Sequence, residues 1–156
     1  MAGRLLGIAR KPRPYARPET IERARVSFVG GIEGDYRGGM KPRGRRQVTI
    51  MQRSDWAAAL ADLGDRDLAW SDRRVNMLCD DIELPRDPGT LLRVGEVLFE
   101  ITGECDPCRR MDAVSPGLFA ALIPDWRGGR LLRVRSEGTI AAGAAILIEE
   151  RLARAI

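Results

Sequence analysis

Short runs of apolar and β-branched residues, interrupted at close intervals by glycine or proline, limit most strongly what this chain can fold into. Leu91–Val94 and Val97–Thr102 are two such runs, separated by a turn at Gly95. Their length and composition are typical of β-strands. Many short strands with few long helical patterns favour a β-barrel over alternating strands and helices. We therefore predict a mostly β fold, a β-barrel with a few short helices. The 156 residues are the size of one domain, so we expect 1–156 to form a single domain.

Helical patterns are confined to three short segments. The first is predicted to begin with Ser54 as its cap and to end at Gly64. The second follows the loop Glu104–Arg110, with Pro107 in the first helical position. The third covers Leu118–Ile123 and is closed by the proline that follows it.

Arginine dominates the charge of this chain. Of its 26 basic residues only Lys11 and Lys41 are lysines, and the net charge is +4. The 22 acidic residues are interspersed among the arginines without a continuous basic tract, which does not favour nucleic-acid binding. Because guanidinium groups bind carboxylates and phosphates through paired hydrogen bonds, the expected partner is a small anionic molecule or cofactor.

The chain contains no histidine, which excludes catalytic triads and histidine-ligated zinc. Its three cysteines are an odd number, and the N-terminal residues lack the apolar core of a signal peptide. No apolar run approaches the roughly 20 residues of a membrane span. We therefore expect a cytoplasmic protein with reduced thiols and no membrane partner.

The segment from Glu104 to Arg110 contains two cysteines, Cys105 and Cys108, in a Cys-x-x-Cys spacing. Such a pair is compatible with a redox disulfide or half of a zinc site. The alternatives are a single reactive thiolate at Cys108, stabilised by adjacent arginines and by helix amides, or a small buried apolar residue. The spacing alone leaves these four interpretations open.

A glycine-rich loop and three arginine pairs are the other candidate features. Gly31–Gly39 is compatible with backbone amides that approach an anion, or with a merely tight turn. It lacks the spacing of a nucleotide-binding loop. The arginine pairs are Arg45–Arg46, Arg73–Arg74 and Arg109–Arg110. On a strand only one member of such a pair can face a shared site, and solvated surface positions are the alternative.

Taken in order, five segments resemble the MOSC domain family, the module at the C-terminus of molybdenum cofactor sulfurases. The segments are GIEGDYRGG (Gly31–Gly39), RRQVTIMQ (Arg45–Gln52), RRVNMLCDDIEL (Arg73–Leu84), LLRVGEVLFEITGECDPC (Leu91–Cys108) and RGGRLLRVRSEGTIAAGAAI (Arg127–Ile146). The resemblance runs from about Gly3 to Glu149. It implies a barrel similar to the small domain of pyruvate kinase.

The resemblance also implies a function for the hallmark cysteine of the family, which Cys108 matches. In this family that cysteine carries sulfur for cofactor sulfuration or ligates molybdenum. The chain is therefore expected to be a sulfur carrier or transferase, or a molybdenum-dependent oxidoreductase of the stand-alone bacterial type that reduces N-hydroxylated compounds. A separate cysteine desulfurase is the implied protein partner.

The family's general descriptors are molybdenum ion binding and pyridoxal phosphate binding, and the second reflects a desulfurase domain fused in some members. We do not expect pyridoxal phosphate on this chain alone, because Lys11 and Lys41 both stand in loops flanked by proline or glycine.

These considerations give one set of candidate site residues. Cys108 is the expected thiolate and metal ligand. Arg46, Arg74 and Arg109 are expected to hold the anionic ligand. Asp35 and Asn76 are expected to orient ligands at the mouth of the barrel. Two departures from the family pattern lie beside them, Tyr36-Arg37 in place of a frequent histidine and Arg73-Arg74-Val75-Asn76 in place of the usual Gly-Glu-Asn. The rival functions are a non-catalytic anion-binding barrel and a Cys105/Cys108 thiol–disulfide protein.

Overall fold

A computed structural model describes residues 2–149, which contain eleven strands and three short α-helices. The strands are β1 (Gly3–Arg10), β2 (Glu19–Ile21), β3 (Arg23–Ser27), β4 (Gly31–Ile32), β5 (Val48–Gln52), β6 (Met77–Asp80), β7 (Leu91–Val94), β8 (Val97–Glu104), β9 (Arg130–Val134), β10 (Gly138–Ala141) and β11 (Ala145–Glu149). The helices are α1 (Arg53–Asp62), α2 (Met111–Val114) and α3 (Leu118–Leu122). Single 3₁₀ turns cover Trp70–Arg73 and Pro124–Trp126.

Seven of these strands close into a barrel, as the sequence predicts. Around the barrel the order is β1, β6, β5, β9, β8, β7 and β11. Closure is made by β11 and β1, where Gly3 pairs with Ile146 and Arg4 with Ala145. The β5–β6 pair is parallel and the other pairs in the ring are antiparallel. Closure removes the exposed strand edges of an open sheet.

Strand β5 separates two hydrophobic cores. Val48 and Ile50 belong to the barrel interior together with the fully buried Phe99. Met51 points to the opposite face and packs in a second core with residues of α1 and α3. Because strand side chains alternate between faces, an apolar run buried on both sides is the sequence pattern of such a strand.

The first helix begins two residues earlier than predicted, at Arg53. Gln52 is its N-cap and makes no side-chain cap hydrogen bond, so Ser54 lies inside the first turn and does not cap the helix. The end of the helix is as expected, with Gly64 in a left-handed conformation (φ 80°) directly after the C-cap residue Leu63.

The helix predicted at Pro107 does not begin there. It begins at Met111, after the N-cap Arg110, and has four residues. Pro107 and Cys108 therefore lie in an irregular loop. Cys108 is therefore not in the first turn of a helix, because α2 begins three residues after it. The third helix ends before Pro124 as predicted.

Strands β3, β4 and β10 form a separate three-stranded sheet, in which β10 pairs with β3. Strand β10 begins with a glycine, Gly138, and β4 has only two residues. A larger residue at position 138 would be crowded, because a Cβ there would lie 2.9 Å from the Glu96 carboxylate. Within residues 2–149 no helix combines the length and apolar character that crossing a membrane requires.

Candidate functional site

A cavity of about 180 Å³ lies against the outer face of β5. Thr49 lines it, whereas the neighbouring Val48 and Ile50 point into the barrel interior. The other walls come from the loop after β1, the glycine-rich loop, the turn before β6 and the loop after β8. The site thus stands on the outside of the barrel wall and not in its mouth, because Thr49 points away from the barrel interior.

Cationic side chains dominate the lining of this cavity. Among the residues that the structure describes, six of them line it: Lys11, Arg37, Arg46, Arg73, Arg74 and Arg110. Asp106 is the only carboxylate among the described lining residues. Charges of one sign inside a concave site with low-dielectric walls concentrate the field, so the cavity favours anions.

The Cys108 thiol opens onto the same cavity and is exposed. Its Sγ accepts a hydrogen bond from the backbone N–H of Arg110 at 3.4 Å. The loop is held at both ends, because the Cys105 N–H donates to Gly129 O at 2.9 Å and the Met111 N–H donates to Cys108 O at 2.9 Å. An accessible thiol beside fixed donors is suited to nucleophilic or metal-ligating chemistry.

The other two cysteines are buried. Cys79 belongs to the barrel core, and burial raises the pKa of its thiol to about 12. Cys105 lies in the second core, where Arg73 Nη2 is 3.6 Å from its Sγ. Only Cys108 among the described cysteines is therefore open to a ligand or partner.

Arg73 forms part of the cavity wall although its side chain is 4% exposed. Its Nη2 donates to Cys105 O at 3.1 Å and to Gly128 O at 2.9 Å. Its Nε is also buried but has no hydrogen-bond partner within residues 2–149. A buried guanidinium nitrogen without an acceptor is costly, so this atom marks a place where an anionic ligand would supply one.

Arg74 connects the turn before β6 to the loop between β1 and β2. It adopts a left-handed conformation (φ 70°) that an arginine seldom takes. Its carbonyl accepts a hydrogen bond from Lys11 Nζ at 2.7 Å, and its Nη1 donates to Ala16 O at 2.9 Å. The strained turn thus fixes the lysine at the cavity, which is the arrangement expected of backbone strain at a functional site.

Lys11 is the least expected member of the site, with 8% of its surface exposed. Desolvation lowers the pKa of its amine from 10.5 to about 8, and the charges of Arg74, Arg46 and Arg37 act in the same direction. Asp35 opposes this shift and accepts a hydrogen bond from the Lys11 backbone N–H at 2.9 Å.

The lowered pKa of Lys11 predicts how stability depends on pH. Between pH 8 and 10.5 the unfolded chain binds the proton that the folded chain has released, so the free energy of unfolding rises with pH. Relative to Lys11→Met, the wild type should gain up to about 3 kcal/mol across this window. Urea unfolding of both proteins at several pH values measures the difference. A difference that stays constant with pH contradicts the prediction.

The structure brings together four of the six residues predicted from sequence. Cys108, Arg46, Arg74 and Asn76 all line the cavity. Asp35 is buried behind Lys11, and its Oδ2 finds no partner within residues 2–149.

Arg109 is not brought to the cavity, because its guanidinium stacks over Phe119 at 5.7 Å. Its neighbour Arg110 lines the cavity instead. Similarly Arg46 lines the cavity, whereas Arg45 turns away and donates to Thr102 O at 3.2 Å. Only one member of each of these pairs reaches the site.

The glycine-rich loop supplies side chains more than amides. The Tyr36 N–H donates to Lys11 O at 2.8 Å, and the Asp35 N–H donates to Ile32 O at 3.0 Å, so both amides are already used. A Cβ on Gly38 would lie 2.2 Å from Gly30 O, which makes tight packing the reason for a glycine there. Within residues 2–149 no group of three or more potential ligand side chains is placed to hold a metal ion.

Comparison with known protein families shows which family this chain belongs to. The sequence pattern of the MOSC domain matches residues 33–147, well over half of its length. The chain belongs to the MOSC domain family. The matched region includes Cys108 and its surrounding arginines at 46 and 74, so the candidate site lies largely within the family domain.

Solved structures share the MOSC fold at low sequence identity. The YuaD protein from Bacillus subtilis superposes with a TM-score of 0.75 and 17% identity, covering 94% of each chain. YiiM from Geobacillus stearothermophilus has a TM-score of 0.74 and 16% identity over 95% of this chain and 75% of its own. YiiM from Escherichia coli has a TM-score of 0.67 and 18% identity over 96% and 71%. No curated protein matches at the sequence level.

Proposed function

We propose that this MOSC protein binds the molybdenum cofactor, with the Cys108 thiolate as metal ligand and the arginine-lined cavity as the site for an anionic end of the cofactor. The observation that carries this proposal is that one cavity combines the exposed Cys108 thiol with six cationic side chains. A soft thiolate suits a metal of this kind, and arginine suits phosphate. Reduction of N-hydroxylated compounds is the reaction that the family suggests.

The residues present fit such a cofactor in their chemistry. Arg46 and Arg37 are exposed cations that would hold a phosphate, and the unpartnered Nε of Arg73 offers a buried donor. The bound cofactor would supply the electron-transfer chemistry. The chain itself would orient it: Arg73 and Gly129 hold the backbone at Cys105, three residues before the reactive thiol.

The size of the cavity limits what is enclosed. About 180 Å³ is below the roughly 300 Å³ at which pockets for drug-sized ligands begin. The enclosed space therefore suits one charged end of a cofactor, or a small substrate, and not a whole pterin-based molecule.

Metal retention tests the proposal. Cys108→Ser should lower the molybdenum content of protein purified from a host that makes the cofactor to less than about a tenth of wild type, because the soft ligand is lost. Inductively coupled plasma mass spectrometry measures the metal. Cys105→Ser is the matched control and should retain it. Full retention of molybdenum in Cys108→Ser, or none in the wild type, overturns the proposal.

Two adjacent arginines provide a matched pair of variants for testing whether the cavity arginines retain the cofactor. Arg46→Met should weaken retention because that side chain lines the cavity, whereas Arg45→Met should not because its guanidinium binds Thr102 O. Equal effects of the two substitutions would show that overall charge, and not the cavity, holds the cofactor.

Sulfur transfer is the second candidate, favoured by the exposure of Cys108 beside two buried cysteines. The Cys108 thiolate would attack the outer sulfur of a desulfurase persulfide, which forms a persulfide on Cys108 and releases the thiol of the desulfurase. Intact mass analysis without strong reductant would then show one added sulfur atom, absent in Cys108→Ser. If mild oxidation instead joins Cys105 and Cys108 in a disulfide, the mass would fall by two hydrogen atoms, and either single substitution would prevent that loss.

A further inference from the structure

A buried amine shares the cavity with the arginines. Lys11 follows β1 directly, and its Nζ reaches across to Arg74 O at 2.7 Å. Its side chain lines the cavity although little of it is exposed. One contact to a carbonyl uses one of the three donors of an ammonium group, so the nitrogen is held without being fully surrounded by protein acceptors.

We propose that Lys11 forms an imine with a small aldehyde or ketone that carries a carboxylate or phosphate, with the arginines of the cavity holding the anionic group. Two independent observations support this assignment. The amine is presented inside a cavity, and the same cavity contains the buried, unpartnered Nε of Arg73 as a donor for an anion. This inference goes beyond the proposed function and does not rest on Cys108.

The chemistry needs only the amine and the carbonyl compound. The nitrogen lone pair attacks the carbonyl carbon to give a carbinolamine, with the carbonyl oxygen taking up a proton. Loss of water then leaves a carbon–nitrogen double bond, and the proton that the nitrogen loses leaves with the hydroxyl group. No oxidant or reductant is consumed. Binding of the anionic group to the arginines would hold the carbonyl carbon beside the nitrogen, and this proximity favours the condensation.

The surroundings of Lys11 make its amine competent at neutral pH. Burial disfavours the charged form, and the nearby Arg74, Arg46 and Arg37 disfavour it further, so its pKa falls to about 8. Asp35 is the one group acting in the opposite direction among those that shift this amine. Desolvation and neighbouring cations are the two ways in which proteins activate an imine-forming lysine.

Lys41 is an internal control, because it is the only other lysine of the chain and is exposed. Borohydride reduces an imine to a stable secondary amine, which peptide mapping assigns to one residue. The probes are glyoxylate, which carries a carboxylate, and glycolaldehyde phosphate. Neutral glycolaldehyde tests whether the anionic group matters.

In the wild type we expect both anionic probes to be trapped on Lys11 at least about tenfold faster than on Lys41 near pH 7.5, because burial and neighbouring cations lower the pKa of Lys11 and the arginines of the cavity hold the anionic group. Glycolaldehyde should show a smaller preference, and inorganic phosphate should protect Lys11 by competing for the arginines. Lys11→Arg should remove the label while Lys41→Arg keeps it.

The result that overturns the proposal needs no variant. Equal labelling of the two lysines in the wild type, or a neutral aldehyde reacting with Lys11 as fast as the anionic probes, is sufficient. The imine chemistry uses no atom of Cys108. Loss of molybdenum or of sulfur loading therefore leaves this proposal standing, and failure of trapping leaves the proposed role of Cys108 standing.

Discussion

Replacing Asn76 with alanine is expected to lower the free energy of unfolding by about 3–5 kcal/mol. The Asn76 Oδ1 accepts hydrogen bonds from the Thr49 N–H at 3.1 Å and the Thr49 hydroxyl at 3.2 Å, and its Nδ2 donates to Ala9 O at 3.1 Å. These bonds tie β5 and β1 to the residue preceding β6. Alanine would remove the partners of several buried polar groups at once, and each one left unsatisfied costs about 1–3 kcal/mol.

A double-mutant cycle separates this network from a general packing defect. Thr49→Val removes the hydroxyl that also accepts the Asn76 N–H at 2.9 Å. Because the two side chains share hydrogen bonds, the combined loss in Asn76→Ala/Thr49→Val should be smaller than the sum of the single losses. Urea unfolding measures all four proteins. Additive losses, or a loss below about 1 kcal/mol for Asn76→Ala, would contradict the role given to this amide.

The consequence for function is that Asn76 builds the cavity as well as lining it. Its side-chain oxygen and nitrogen are both engaged by the barrel. A ligand would therefore meet an amide whose orientation is already fixed, which is how a rigid scaffold presents a site.

Gly128→Ala is expected to destabilise the chain by about 1–3 kcal/mol and to displace the cysteine loop. A Cβ at this position would lie 2.4 Å from Cys105 O, 3.1 Å from Arg73 Nη2 and 3.3 Å from Pro107 Cδ. The backbone of Gly128 does not need a left-handed conformation, so the effect is steric. The added methyl group would press on the guanidinium that anchors the backbone of Cys105.

Gly39→Ala is the matched control for this substitution. A Cβ there meets nothing within 4 Å, so its effect should stay within about 0.5 kcal/mol. Thermal unfolding gives the stability of both variants, and the rate of Cys108 alkylation by iodoacetamide reports on the loop. An alkylation rate in Gly128→Ala equal to that of the wild type would show that the loop does not depend on this close packing.

Much of the barrel could be predicted because its signals are local. Leu91–Val94, the turn at Gly95 and the start of β8 at Val97 occur where the sequence pattern places them. The apolar run of β5 is buried because each face meets a different core. Apolar alternation and turn residues act within a few positions of one another, so a single sequence contains this information.

The short strands were less predictable for a physical reason. Strand β4 has two residues and β2 has three, too few to show alternation. Pairing partners far along the chain stabilise them. The expected helix start at Pro107 was wrong for a different reason. A proline is tolerated at a helix start and equally in a loop, so it does not distinguish the two.

The candidate site also contains residues that could be predicted from the sequence and residues that could not. The family resemblance singles out Cys108 from the Cys-x-x-Cys segment, and Cys108 is the exposed thiol. The sequence predicted Arg109 at the site, but Arg110 lines the cavity and Arg109 stacks on Phe119. The direction of each side chain depends on the irregular turn before α2.

The sequence by itself determined the β-barrel, the arginine-rich character and Cys108 as the candidate thiol of the site. Only the tertiary structure decided that Lys11, in a loop that sequence reasoning set aside, is buried against Arg74, and that Arg73 has a guanidinium nitrogen with no protein acceptor. The reason is that these contacts join distant segments: Lys11 and Arg74 are 63 residues apart, and Arg73 is 55 residues from Gly128. Pairing of β1 with β6 brings Lys11 beside Arg74, and no local pattern encodes that contact.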